Sequence, residues 1–403
     1  MILNPKNKTT ICPLPFKALS YNMLGDMGPC TNCNLVKHKS ITEYWNSKEL
    51  KQLRNDMLNG IRNPVCNECY RREDSKSWNM REYLNEALPN FVFTDDASIT
   101  DLHVKFSNIC NYMCIDCNFS SSSLIWKEDV DRGLRDYYKL FNDDNSVKKK
   151  SLVVYPENDE NAVLNQIKPI IDNIDKIAFS GGDPLYHWQQ YDLLQHMVDN
   201  KIFPELHYYT NLSRLVYKNY NLIELWKNFP SLHIMTGFDA MGDGCDYFRK
   251  NMNFDETVTN MRAVKDNVKN SNTVVVVTFT WVNAINACDM VEWFVNNHPD
   301  FTVTYNIVIH DHLDMRIAPK HKKEQIQKSL DKLVALSKTT SQWNVDMVHG
   351  LSNYMWQEDW SDRFPNALQW IKDLDTHRKQ DFRVAFKEHS DIDYSDYISG
   401  YGV

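Results

Sequence analysis

From residue 101 to about 320 the chain alternates two hydrophobic patterns. Leu102-His103-Val104-Lys105-Phe106 switches between apolar and polar at every step, the period of a strand with one buried face. Comparable short runs predict strands over 102–107, 175–180, 205–210, 232–238, 273–281 and 301–309. Between them apolar residues recur at helical spacing, which predicts helices near 161–173, 188–200, 221–228, 255–269 and 287–297. Strand–helix alternation of this kind is the signature of βαβ units and an α/β fold. It supplies about six units, fewer than the eight of a closed barrel.

The flanks read differently. In residues 1–95, Ala18 to Met23 predicts a strand and Gly25 to Gly28 a turn, with Cys30 and Cys33 on the returning strand of a hairpin. Ile41 to Asn59 predicts a helix ended by Gly60, and Arg71 to Glu86 a charged one. Residues 96–320 form the βα part, and residues 321–403 a helical extension, with Lys320 to Lys338 and Asn366 to Gln380 as its helices. Trp356, Trp360 and Trp370 read as packing residues, and the tail bearing Tyr394, Tyr397 and Tyr401 has no assigned role. The Asp-, Asn- and Lys-rich stretch Asn142 to Asn161 predicts an exposed insertion.

Charge narrows the function classes. A net charge of −8 over 403 residues gives no general attraction for nucleic acid or an anionic membrane. No run of 18 apolar residues predicts a membrane span, and the polar start, Met1 to Ile11, lacks a signal segment. A cytoplasmic protein is therefore expected. In that reducing compartment the ten cysteines are not expected to pair. Eight of them fall within the first 117 residues, which points to metal. Cys245 and Cys288 stand alone and read as structural thiols.

The densest chemistry is Cys110-Asn111-Tyr112-Met113-Cys114-Ile115-Asp116-Cys117. Three thiolates on one tight loop can hold three irons of a [4Fe–4S] cube and leave the fourth to a non-protein ligand, whereas electron-transfer cubes take four. Zinc prefers two separated ligand pairs, which this spacing fits poorly. The loop directly follows the strand over 102–107, and the ends of strands are where α/β folds place their chemistry. Asn108-Ile109-Cys110-Asn111-Tyr112-Met113-Cys114 resembles the cluster loop of the radical S-adenosylmethionine (radical SAM) enzymes. Asp116 departs from that family, which usually carries an aromatic residue there.

The resemblance implies further residues. Gly181-Gly182-Asp183-Pro184, at the end of the strand over 175–180, resembles the family's GGE motif, with Asp183 in the place of Glu toward the methionyl amine. Asn211 resembles a Thr-Asn element that meets ribose or substrate. Gly237-Phe238-Asp239-Ala240 with Arg249 resembles a Ser-x-Asp-Gly stretch and its downstream Arg, which would hold the cofactor carboxylate. Thr278, Thr280 and Asn283 are expected to line the same pocket. The implied fold is a partial (βα)6 TIM-like barrel with an open side. The implied chemistry is one-electron cleavage of S-adenosylmethionine at the Cys110/Cys114/Cys117 cluster. It gives a 5′-deoxyadenosyl radical that takes a substrate hydrogen.

The N-terminal cysteines admit two readings. Cys30, Cys33, Cys66 and Cys69 make two C-x2-C pairs, as in a zinc ribbon. Alternatively Cys12, Cys30, Cys66 and Cys69, with Gly25 between the first two, resemble the auxiliary-cluster module called SPASM, or twitch when it holds one cluster. That module usually follows the barrel, whereas here it precedes it. The second reading implies a second [4Fe–4S] cluster that shuttles an electron or anchors substrate. Relatives with this module often modify peptides, so a peptide or protein side chain is the expected substrate, with an electron donor such as flavodoxin or ferredoxin. The alternatives are a small-molecule or nucleotide substrate, or a non-catalytic zinc-binding barrel.

Overall fold

The computed structural model describes residues 10–33, 35–74, 79–94, 96–134, 152–156, 159–308, 310–340 and 345–398. Most of the acidic stretch over 142–161 lies outside them, as does Tyr401. The chain forms two compact units. The first holds residues up to 109 with 151–209 and 218–232, and the second holds 110–150, 210–217 and 233 onward.

In the first unit β1 (Ala18–Tyr21), β2 (Asp26–Gly28), β3 (Val36–Lys37), β4 (Asp101–Lys105), β5 (Lys176–Ser180) and β6 (Glu205–Thr210) lie in the order β6-β5-β4-β1-β2-β3. β4, β5 and β6 run parallel, in a register that sets Leu102 and Val104 against Ile177 and Phe179, and these against Leu206 and Tyr208. All six are buried. The helix Trp188–Asn200 covers this face, and its Gln190 accepts from the Tyr208 hydroxyl at 2.8 Å. The opposite face carries His103, Ala178 and His207 in one row. The period-two pattern of the sequence is therefore one dry face and one polar face.

β1 also runs parallel to β4, pairing Ser20 with His103. The N-terminal segment thus extends the same sheet as β4. It turns at Asn22–Asp26, where Gly25 takes φ +84°. The returning strand ends at Gly28, so Cys30 and Cys33 sit in the bend after it and not on the strand as the sequence suggested. Extended pairing stops where the chain must fold back to present two thiols. The helix Lys48–Asn59 is capped by Ser47, whose hydroxyl accepts from Leu50 N–H, and ends at Gly60 in the left-handed region.

In the second unit β7 (Leu232–Gly237), β8 (Ser271–Phe279) and β9 (Thr302–Ile307) lie in sheet order, with β8 and β9 parallel. Helices Phe254–Asn267 and Ala284–Asn297 alternate with them. The C-terminal part is helical: Lys320–Ser337, Val345–Gln357 and Phe364–Arg378. The middle one was not anticipated. Glu128, on the helix after the cysteine loop, receives a two-pronged ion pair from Arg378 at 2.7 and 2.8 Å, both side chains being buried. The fold class is α/β with mostly parallel strands, as the alternation predicts. No helix among the described residues is long and apolar enough to cross a membrane.

Candidate functional site

The Gly-Gly turn is built around the residue before the cysteine loop. Asp183 N–H donates to the Ile109 carbonyl at 2.7 Å, and the His187 ring meets the same carbonyl at 3.1 Å. Gly182 has φ +56°, and a Cβ there would stand 2.0 Å from that oxygen. Gly181 has φ +80°, with a Cβ position 2.7 Å from Lys105 Cβ. Both positions need glycine for the close approach as well as the dihedral. Asp183 and Pro184 are buried, and Asp183 Oδ1 accepts from Leu185 N–H at 2.9 Å. His187, which the sequence reading missed, is fully buried; burial holds its pKa down to about 4, so it is neutral. Asn108 ties this turn to the chain further on, bonding Leu152 O and Val154 N–H.

In the second unit each of two loop thiols meets a donor from far along the chain. Asn211 Nδ2 donates to Cys110 Sγ at 3.4 Å and to Asn111 Oδ1 at 3.0 Å. Arg249 Nη1 donates to Cys114 Sγ at 3.7 Å, and a short antiparallel ladder pairs Arg249 with Cys114. Arg249 Nε also donates to Asp239 Oδ2 at 2.6 Å. Gly237, the departure from Ser, now has a physical reason: a Cβ there would lie 2.0 Å from Arg249 Nη2.

Asp239 is held in turn. Its Oδ1 accepts from Thr278 N–H at 2.8 Å, and its carbonyl accepts from Asn283 Nδ2 at 2.7 Å. Asn283 is fully buried, and its oxygen takes both Thr280 N–H and Thr280 Oγ1 at 2.8 Å. Thr280 and Asn283 therefore brace the turn that carries Asp239. Burial first, then the neighbouring Asp239 carboxylate, raises Asp116 to about 6, while Arg249 and a Thr278 hydrogen bond oppose the rise. So Asp116, the second departure, joins Asp239 and Arg249 in an Asp–Arg–Asp group beside the thiols. Burial raises the Cys114 thiol well above its ordinary value and Cys117 to about 12. Such thiols give up their protons to a metal, not to water.

The first unit holds a second thiol site. Cys12, Cys30, Cys33, Cys66 and Cys69 line one cavity with Leu14, Pro15, Pro29, Met57, Val65 and Met80. Burial pushes both Cys12 and Cys66 up to about 12. Cys33 Sγ donates to the Cys30 carbonyl at 3.0 Å. Among the described residues no three cysteine sulfurs stand mutually within 4.8 Å. A zinc tetrahedron with Zn–S bonds of about 2.3 Å brings its sulfurs to roughly 3.8 Å.

Residues 104–293 match the family model described as the radical SAM superfamily. The chain carries a radical SAM domain. This radical SAM domain includes the cysteine loop, the Gly-Gly turn, Asn211, Asp239, Arg249, Thr278 and Asn283. Domains of this family work with a [4Fe–4S] cluster and S-adenosylmethionine. The residues present fit that pair: three thiolates on one loop, with amide and guanidinium donors at two of them. No curated protein matches the chain. Among solved structures it is similar to anSMEcpe with bound AdoMet, at 13% identity over 60% of this chain and 61% of that one, TM-score 0.37. It is also similar to Streptococcus suis SuiB bound to precursor peptide SuiA, at 12% identity over 68% and 60% of the two chains, TM-score 0.35. Likenesses this distant carry no argument about this chain, which spans about three fifths of each structure's length.

Proposed function

We propose that this radical SAM domain cleaves S-adenosylmethionine reductively and takes a hydrogen atom from a peptide or protein side chain. Cys110, Cys114 and Cys117 hold the cluster. When bound, cluster and cofactor supply the one-electron cleavage of the sulfonium; the protein positions both and excludes water. In the first unit Gly181, Gly182, Asp183 and Pro184 form a tight turn, and Asp183 takes the methionyl amine. Arg249, aimed by Asp239, takes the carboxylate, while Asn211 and Thr278 flank the ribose side. The observation that carries this reading is the Asp239–Arg249–Cys114 chain, which brings a guanidinium to a ligand sulfur. The polar face of the first unit's sheet, with His103 on Ser180 at 2.6 Å and a half-exposed Tyr209, supports a polar substrate.

Within the same proposal residues 1–95, 96–320 and 321–403 serve as cluster module, barrel and helical extension. Cys12, Cys30, Cys66 and Cys69 hold a second [4Fe–4S] cluster, reached by an external electron donor such as flavodoxin or ferredoxin. Five thiols from three stretches of chain on one cavity support a cube over a zinc ion held by two pairs. The test is anaerobic incubation of the reconstituted protein with S-adenosylmethionine and dithionite. 5′-Deoxyadenosine should form. Its absence from a brown, fully iron-loaded sample overturns the radical reading, and a colourless zinc protein overturns both clusters.

A further inference from the structure

Among the described residues the thiol cavity of the first unit is lined by five thiols, six apolar side chains, Asn32 and one charged group, Arg81. Arg81 is 5% exposed. It reaches the cavity wall from the helix Met80–Ala87, whose cap is Asn79. Two bonds fix its guanidinium. Nε donates to Glu73 Oε1 at 2.5 Å, and Nη1 donates to the Ile11 carbonyl, next to Cys12, at 3.1 Å. The guanidinium also stands 5.8 Å from the Tyr70 ring, next to Cys69. Glu73 is buried as well, its side chain 8% exposed.

The pair is therefore an oriented dipole in a low-dielectric wall. Its positive end lies at the thiol cavity, held beside the Ile11 carbonyl and the Tyr70 ring. Its negative end, Glu73, is buried with it and bonded to Nε. Burying an ion pair gains little net stability against apolar replacements, because both charges lose water. Arg81, the member of the pair that lines the cavity, can take a second counterpart there. Four thiolates around a cube supply one, since the site carries net negative charge and becomes more negative on reduction.

We propose that Arg81 and Glu73 set the reduction potential of the metal centre in this cavity, Arg81 raising it and Glu73 holding it back. The inference rests on the proposed auxiliary cluster. Neither residue is a ligand; both are positioning residues acting through charge. The nearby cation stabilises the more negative, reduced state, and the nearby carboxylate destabilises it.

The experiment is an anaerobic redox titration of the reconstituted full chain, followed by electron paramagnetic resonance, with iron counted in each sample. The Cys110/Cys114/Cys117 cluster serves as internal reference. Arg81→Met should lower the midpoint potential of the other cluster, and Arg81→Lys should keep it near the wild-type value. Glu73→Gln should raise it, and the reference signal should stay fixed. Opposite shifts from the two neutralising substitutions are what a charge effect requires and what loosened packing does not produce. A wild-type protein with only about four irons overturns the auxiliary-cluster reading itself. About eight irons with an unmoved potential, or both substitutions moving it the same way, overturns the role of Arg81 and Glu73 alone. If Arg81→Met loses the second set of irons, Glu73→Gln decides: an upward shift supports the proposal, and no shift or a downward one overturns it.

Discussion

The two thiol sites solve opposite problems. The Cys110–Cys117 loop offers three sulfurs from one short stretch, and polar donors arrive from elsewhere: Asn211 at Cys110 and Arg249 at Cys114. The N-terminal cavity offers five sulfurs from three separate stretches, and among the described residues its walls are apolar apart from Asn32 and Arg81. With the proposed cluster bound, the first arrangement would leave one iron open beside hydrogen-bonding groups, as binding a cofactor requires. The second has more sulfurs than a cube has corners and little polar surface to hold a ligand, which suits electron transfer or structure. Ligand count and wall polarity together separate a reacting site from a conducting one.

The hardest blow to the comparison is Cys114→Ala. Two thiolates cannot hold the site-differentiated cube, so 5′-deoxyadenosine formation should vanish and iron should fall by about four per chain, while the cavity cluster's signal persists. If the variant still forms 5′-deoxyadenosine at the wild-type rate, the loop is not the reacting site.

Next comes Cys12→Ala. The cavity should lose its cluster, with iron again down by about four, but the loop cluster should remain and still bind S-adenosylmethionine. Retained cofactor binding with lost iron would separate the two sites by function. Full iron in this variant would remove Cys12 from the ligand set.

Much of this was readable in the residues alone. The strands over 176–180, 205–210 and 232–237 fall where the apolar alternation placed them, because each has one face in a dry core. The cysteine loop was legible because its three thiols lie within eight residues. What was not legible depends on distant contacts. Nothing in Ala18–Tyr21 announces that it pairs with β4. The 2.0 Å gap that explains Gly237 exists only once Arg249 is in place. His187 and Arg81 carry no motif; their roles come from the Ile109 carbonyl and the thiol cavity they face. The brace at Asn283 likewise needs Asp239, 44 residues away in sequence, to be understood.

A milder test sharpens the electrostatics of the reacting site. Arg249 is nearly buried between Asp239 and Cys114, so Arg249→Ala strands the Asp239 carboxylate and should cost about 3–5 kcal/mol of stability. Arg249→Lys keeps the charge but not the fork, and it is the cleaner probe. It should hold both clusters and weaken S-adenosylmethionine binding by roughly tenfold, read by equilibrium dialysis. Gly237→Ala should act the same way, since its methyl would displace the guanidinium. An unchanged dissociation constant in both would make Arg249 a purely structural partner of Asp239.

The smallest expected effect belongs to Cys33→Ala, and it decides which four of five cavity thiols bind. Cys33 differs from its neighbours. Its sulfur already donates to the Cys30 carbonyl at 3.0 Å. It sits after β2 in the bend that also carries Cys30, so it adds no new segment to the cavity. Cys12 brings in the helix Leu14–Lys17 that precedes β1. A cube about 6 Å across is better held by sulfurs from three segments than by two adjacent pairs, whereas a single zinc ion is content with the pairs. Cys33→Ala should therefore leave iron content and both cluster signals close to wild type, with a small loss of stability from the missing thiol. Should Cys33→Ala instead lose the metal while Cys12→Ala keeps it, the cavity is a zinc ribbon. The contrast between the two sites would then be one of metal as well as of ligand number.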